Sequence, residues 1–210
     1  ANRAVWSLGS KREKEHRFEL RATADAVMCG AGTLDSGAIN LGPGGPKYRR
    51  MRNTRGVAEY NLRIVTSGSG GVDPNAEIFK QQLSPIIILT TGRASESELK
   101  PLREVATEIK ILGPREIDFR KALQWLREKW KVKRLLCEGG GELNDALFRA
   151  GLVNELHLTL CPKIFGGRRA PTIAEGIGVP KLSMAAQLKL TSMKRIGDEL
   201  FVVYSVSAES

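Results

Sequence analysis

The sequence predicts an α/β domain: a mixed, mostly parallel β-sheet flanked by helices in three layers, closed by a C-terminal antiparallel hairpin. Three observations carry this. Short apolar runs of strand length alternate with helix-like runs over residues 25–161, the pattern of parallel strands buried on both faces. Three of those runs end in small or glycine-rich turns, at Gly30-Ala31-Gly32-Thr33, Ser67-Gly68-Ser69-Gly70-Gly71 and Glu138-Gly139-Gly140-Gly141. Finally, Gln187–Arg195 and Glu199–Ser207 alternate with a period of two around Gly197-Asp198, a hairpin signal.

Ser10 is placed to cap a helix over residues 11–23, and Asp25–Gly30 reads as a buried strand. Residues 34–60 show little period and many turn formers, and are expected to form a long loop, functional or disordered. Leu62–Thr66 and Pro85–Thr91 are the next strands. Ser95 and Glu98 form a capping-box pattern that opens a helix to about Ala106, and Glu108–Leu112 is a short strand. Asp118 caps the clearest helix in the chain, with Phe119, Ala122, Leu123, Leu126 and Trp130 on one face. That stripe, with Trp125 beside it, reads as core. A strand ending at Cys137, a helix over 142–150 ended by Gly151, and a strand over Glu155–Cys161 follow. His157 lies on the polar side of that last strand and reads as structural or surface. No internal repeat or interdomain linker is visible, so residues 1–210 read as one domain.

Composition narrows the functional classes. No apolar run approaches the roughly 20 residues a membrane helix needs, and no secretory signal is visible, so no membrane partner is expected. The three cysteines, Cys29, Cys137 and Cys161, are odd in number and sit in apolar runs; they predict buried, reduced thiols in a cytoplasmic protein. With two histidines and no C-x-x-C, no metal site is expected. The net charge of +10 allows nucleic acid or a small polyanion as partner. Aromatic residues do not interleave with the basic runs, which argues against nucleic acid. Lys47, Arg49, Arg50, Arg52 and Arg55 form a basic cluster that reads as a substrate-side loop or a surface loop.

The glycine cluster after Leu135-Leu136-Cys137 points to chemistry. Glycines at a strand-to-helix turn let backbone N–H groups approach an anion, and the helix start adds partial positive charge. It is neither a G-x-G-x-x-G nor a Walker motif. Glu138, at the strand end, would repel phosphate and instead suits the hydroxyls of a sugar or the edge of a base. The cluster reads as a site for a phosphorylated, hydroxyl-rich ligand such as a dinucleotide, and ligands of open α/β sheets bind at strand carboxyl ends.

Three segments then carry a family likeness: Arg21-Ala22-Thr23-Ala24-Asp25 through Gly30-Ala31-Gly32-Thr33; Leu136 through Leu143 with Ala150-Gly151-Leu152-Val153-Asn154-Glu155-Leu156; and Pro162-Lys163-Ile164-Phe165-Gly166-Gly167. In this order they resemble the reductase domain of riboflavin biosynthesis, a domain often fused behind a zinc deaminase. The chain has no H-x-E with P-C-x-x-C, so only the reductase is implied. The resemblance implies a dihydrofolate reductase-like fold, a homodimer, and NADPH-dependent reduction of 5-amino-6-(5-phosphoribosylamino)uracil to its ribitylamino product. It also implies site residues. Thr33, Ser67, Gly140, Gly141, Glu142, Leu143 and Asn144 match cofactor contacts. Glu138, Arg21 and Leu41 match substrate contacts, Arg21 toward the phosphate or ribose. Trp6 and Ser10 fall near the ligand-contacting segment before the first helix. No proton donor stands out. Arg93, after a strand and a glycine, is a candidate for the 2′-phosphate of NADPH.

Two departures bear on substrate. Where the family continues after the threonine with an acidic pair and a proline, this chain reads Leu34-Asp35-Ser36-Gly37-Ala38. The family's first strand, with its Leu-Asp-Gly-Lys motif, precedes anything in this chain. A same-fold NADPH reductase of another imine or pterin therefore stands as the alternative, followed by a basic RNA-binding module.

Overall fold

The computed structural model describes residues 9–34, 39–164, 166–168 and 170–207. Trp6 lies outside them. By its internal contacts the chain divides into two compact units, Arg17–Gly140 and a second made of residues 1–16 with Gly141–Ser210.

The first unit holds a five-stranded, all-parallel sheet. Its strands are β1 (Ala26–Gly30), β2 (Leu62–Thr66), β3 (Ile86–Thr90), β4 (Glu108–Ile111) and β5 (Leu135–Cys137). Their order is β4-β3-β2-β1-β5. β2 and β3 are buried at every residue, as strands covered on both faces must be. One apolar cluster, including Val27, Cys29, Val65, Ile88 and Leu102, packs against the sheet.

Helix starts follow the chemistry read from the sequence. Helix α1 (Lys11–Arg21) opens with Ser10 Oγ accepting from the Arg12 and Glu13 N–H groups at 3.0 and 3.3 Å. After a single helical turn at Ala31–Leu34 (α2), helix α3 spans Pro46–Thr54. The long loop expected at 34–60 is thus interrupted. Gly45-Pro46 is a helix start, with proline in the first turn where no intrahelical donor is needed. A short helix α4 (Glu77–Lys80) was also hidden among turn formers. Helix α5 (Glu96–Val105) carries the full capping box between Ser95 and Glu98. Asp118 caps α6 (Phe119–Trp130), which ends on Lys131 in the left-handed conformation, φ 57°.

The second unit contains helix α7 (Gly141–Arg149) and strands β6 (Glu155–Leu160), β7 (Leu188–Ile196) and β8 (Glu199–Val206). The parallel strands and the antiparallel hairpin, expected in one mixed sheet, form separate sheets. β8 takes β6 on one edge and β7 on the other, in the order β6-β8-β7. The antiparallel strands satisfy one another's backbone groups.

In this unit Glu199 anchors the start of α1. It accepts from the Ser10 N–H and Ser10 Oγ, both at 2.6 Å, and these bonds hold its pKa below the ordinary carboxylate value. A depressed folded-state pKa contributes stability that is complete above the unfolded value and is lost as pH falls through the folded one. We therefore expect Glu199→Gln to lower the melting temperature at pH 7 and to shrink that deficit below pH 4, measured by thermal melts across the acid range.

Candidate functional site

The three glycine-rich turns lie at one sheet edge, because β2, β1 and β5 are neighbours with all strands pointing the same way. The ladder between β1 and β5 continues into the turn: the Glu138 N–H donates to Met28 O and the Gly30 N–H to Gly139 O, both at 2.8 Å. Gly139 has φ 84°, where a side chain is disfavoured, and the Gly139–Gly140 peptide is cis. A Cβ built on Gly140 would lie 3.6 Å from Thr33 Oγ1, and one on Gly30 would lie 3.6 Å from the Gly140 nitrogen. Thr33, Gly30 and Gly140 therefore form one cradle lined by backbone. Ser67 closes the neighbouring turn, its hydroxyl donating to Gly71 O at 3.4 Å.

Beside the cradle sits a buried ion pair. Arg21 at the end of α1 meets Glu138 at the end of β5 as a fork, Nε to Oε1 at 2.5 Å and Nη2 to Oε2 at 2.6 Å. The two side chains are only 7% and 14% exposed. Arg21 Nη1 donates to Gly42 O at 2.7 Å, and the Phe18 ring lies 5.4 Å from the guanidinium carbon. Arg21 and Glu138, both expected at the substrate, are each other's partner here. Three of the five guanidinium N–H groups are thereby used, and two are left.

Leu41, expected to line the substrate pocket, enters the structure through its backbone as well as its side chain. It is fully buried in the apolar cluster and takes φ 55°. Its carbonyl accepts from Asn61 Nδ2 at 2.9 Å, next to the Gly42 carbonyl held by Arg21. The 41–42 backbone is thus clamped from two sides. Nothing in the sequence around Asn61 announces this.

The basic cluster at 47–55 resolves into different roles. Arg52 is fully buried, binding the carbonyls of Arg21 and Ala24 through Nη1 at 2.7 and 2.6 Å and that of Ala58 through Nε at 2.7 Å. Arg49 bonds to Glu59 and Tyr60. Burial pushes the Cys29 thiol up to about 12, with Glu138 adding to it, and the Cys137 thiol up to about 11. Both thiols near the site are protonated at neutral pH and poor nucleophiles.

In the second unit, Gly141 opens α7 beneath the segment 172–178. The Glu175 N–H donates to Gly141 O at 2.9 Å, and a Cβ on Gly141 would collide with Glu175 Cγ at 2.6 Å. Asn144 Nδ2 donates to Ile173 O at 2.8 Å. Asp145 pairs with Arg149 at 2.8 Å and accepts from the Gly178 N–H at 3.1 Å. Glu142 is exposed in the first turn and Leu143 is buried.

A parallel sheet whose neighbouring strand ends carry a backbone cradle and a buried carboxylate is the layout of an α/β reductase of the dihydrofolate reductase-like type. The chain belongs to the RibD C-terminal domain family, whose model matches residues 2–202. Its relatives include a 2,5-diamino-6-ribosylamino-4(3H)-pyrimidinone 5′-phosphate reductase of Aquifex aeolicus, 28% identical over 98% of this chain and 87% of that protein. The riboflavin biosynthesis protein RibD of Actinobacillus pleuropneumoniae is 30% identical over 90% of this chain, which spans 48% of that longer protein. Among solved structures, a pyrimidine reductase-like protein from Corynebacterium diphtheriae superposes with a TM-score of 0.78 at 22% identity, over 96% of this chain and 84% of that one. The chain is a reductase-family member of riboflavin biosynthesis, and none of its helices among the described residues is long and apolar enough to cross a membrane.

Proposed function

We propose that residues 1–210 act as a single NADPH-dependent reductase domain on a phosphoribosylaminopyrimidine, with 5-amino-6-(5-phosphoribosylamino)uracil as the substrate. The observation that carries this is the Arg21–Glu138 fork at the foot of the glycine cradle. It fixes a carboxylate beside a surface that backbone, rather than side chains, lines.

The residues fit a nicotinamide nucleotide. A side chain at Gly140 would fill the space next to Thr33, and one at Gly30 the space beside Gly140, where a flat ring would lie. Thr33, Ser67 and Gly140 are the proposed cofactor contacts of the first unit. In the second unit they are Gly141, Glu142, Leu143 and Asn144 at the start of α7, where partial positive charge suits phosphate. When bound, NADPH supplies the hydride that reduces the imine carbon C1′ of the opened ribosylamine. Glu138 accepts hydrogen bonds from the pyrimidine or the sugar hydroxyls. Arg21 holds the Glu138 carboxylate in one plane and offers its two remaining N–H groups to a phosphate or ribose oxygen. The clamp at residues 41–42 sets the wall behind them.

Oxidation of NADPH in the presence of 5-amino-6-(5-phosphoribosylamino)uracil tests the reading. NADH and the 2,5-diaminopyrimidinone phosphate, substrate class of the Aquifex relative, serve as parallel arms. Faster turnover of the uracil with NADPH is the expected result. Preference for the diaminopyrimidinone overturns the substrate, and NADPH binding without oxidation of either overturns the reaction.

The segment over α7 gives a separate expectation. Glu175 packs against Gly141 with its carboxylate accepting from the Thr172 N–H at 3.0 Å, which puts a negative charge near the helix start. Glu175→Ala is expected to tighten NADPH binding about threefold, the scale of one charge at a helix end. Quenching of tryptophan fluorescence on titration measures it.

A further inference from the structure

The starts of β2, β3 and β4, at the end of the sheet away from the glycine cradle, border a cavity of about 440 Å³. Pockets for small molecules run from about 300 to 1,000 Å³. Leu83, Pro85, Ile86, Val105 and Ala106 give it apolar walls. Arg63, the second residue of β2, also lines it and is fully buried. Its Nη1 donates to Ile78 O at 2.8 Å, its Nε to Ser84 Oγ at 3.1 Å and its Nη2 to Ser84 O at 2.6 Å. No carboxylate among the described residues pairs with this guanidinium. Burial lowers its pKa to about 10, so it stays charged at neutral pH.

Ser84 occupies the edge of Arg63 that a carboxylate takes. Arg21 uses the same two nitrogens, Nε and Nη2, to grip the two oxygens of Glu138 at 2.5 and 2.6 Å. On Arg63 both oxygens come from one serine, its hydroxyl and its carbonyl, and both are neutral. A hydrogen bond from a cation to a carboxylate is roughly twice as strong as a neutral one, and a buried charge without a counter-charge is costly. A carboxylate that enters the cavity therefore gains by replacing Ser84 on that edge. Ser84 is half-buried, and its neighbours Gln81, Gln82, Leu83 and Pro85 are exposed, so it can shift outward without opening the core.

We propose that this cavity binds a small organic monocarboxylate with an apolar body, whose two oxygens take Nε and Nη2 of Arg63 in place of Ser84. The exposed Glu104 of α5 also lines the cavity and sets the charge it accepts: a doubly charged phosphate is repelled there more than a single carboxylate. The exchange reaches the candidate site through hydrogen bonds within the first unit. Ser84 Oγ donates to Asn61 O at 2.7 Å, and Asn61 Nδ2 donates to Leu41 O at 2.9 Å. The next carbonyl, Gly42 O, is the one that Arg21 Nη1 holds. When Ser84 leaves Arg63 it also releases Asn61, and the clamp on the 41–42 backbone loosens. An occupied cavity at one end of the sheet thus softens the wall behind the Arg21–Glu138 pair at the other. Linkage runs both ways, so a ligand that tightens this wall weakens the carboxylate in equal measure.

Calorimetric titration with benzoate and hexanoate, beside benzamide and inorganic phosphate, tests the site. At least one carboxylate should saturate, about tenfold tighter than benzamide, the scale of a hydrogen bond to a charged group. Ser84→Ala removes one of the two competing oxygens and should tighten carboxylate binding about threefold; Glu104→Gln should tighten it by less. Arg63→Met should abolish it, and if that variant does not fold, the other two carry the test. Hydrogen exchange across residues 39–44 should quicken at saturation, and should already be faster in ligand-free Ser84→Ala. Saturation by neither carboxylate below about 10 mM overturns the site, as do equal binding of benzamide, tighter binding of phosphate, or an affinity unchanged in both Ser84→Ala and Glu104→Gln. Exchange at 39–44 that does not respond to saturation overturns the coupling. None of these readouts needs turnover, so they are independent of the proposed substrate.

Discussion

Glu138→Gln should cost this protein most of its turnover and a measurable part of its stability, while leaving its affinity for NADPH within about threefold, or ~0.7 kcal/mol. The reason is the fork. Arg21 presents two parallel N–H groups to two carboxylate oxygens, at 2.5 and 2.6 Å. An amide can offer oxygen to only one of them and turns an NH₂ toward the other. The guanidinium stays charged, nearly closed off from water, and short of a partner. Removing one member of a buried pair costs about 3–5 kcal/mol, and the oxygen that glutamine keeps places this change at about 2–3 kcal/mol. If Glu138 also receives the substrate, kcat/KM should fall by on the order of 100-fold, about 2.7 kcal/mol of transition-state binding. A second variant separates the two roles. Arg21→Met with Glu138→Leu replaces the pair by apolar groups of similar size and should regain stability in urea melts without regaining turnover. Wild-type turnover in Glu138→Gln would remove Glu138 from the site.

The position of that pair shows where sequence reasoning reaches and where it stops. Ser10, Ser95 and Asp118 were legible as caps because a cap is a bond between residues two or three apart. The glycine turns were legible for the same local reason, and the strands between them because burial on both faces leaves an unbroken apolar run. That β2, β1 and β5 are neighbours is a matter of strand order, on which local periodicity is silent. The pairing of Arg21 with Glu138, 117 residues away, could not be read from spacing, so each was assigned to a ligand. The resemblance points to Leu41 as a pocket residue, but that its side chain packs in the core and its carbonyl meets Asn61 is set by residues 20 positions away. The antiparallel strands were found one by one, but their separation into a second sheet depends on both edges of β8 being taken.

Arg52 is the sharpest case, since the sequence groups it with a basic loop, substrate-side or surface, and the fold makes it a buried brace. Arg52→Met should unfold the protein more readily than any exposed change in the 47–55 cluster. The guanidinium spans from Ala58 O on one side to Arg21 O and Ala24 O on the other, tying α3 to the end of α1. Burial lowers its pKa from the ordinary arginine value, with Asp25 partly restoring it, so the charge is tolerated for its bonds rather than for solvation. Methionine fills much of the volume but takes the guanidinium donor from the Ala24 and Ala58 carbonyls, while Arg21 O keeps the Ala24 N–H at 3.3 Å. At about 1–3 kcal/mol for each unsatisfied group, partly relieved by relaxation, the loss should reach about 3–4 kcal/mol. Arg52→Lys should recover little of it, because a single ammonium cannot reach carbonyls on both sides at once. Arg50→Met, on the same helix, should change stability by less than about 0.5 kcal/mol. Because Arg52 holds the carbonyl of Arg21 itself, the Met variant should also lose turnover at temperatures where it is still folded. Urea melts of the three variants, with NADPH oxidation measured well below the melting transition, test both parts. Equal stability of Arg52→Met and Arg50→Met would mean that the brace contributes nothing, and the placement of Arg21 would then rest on Glu138 and Gly42 alone.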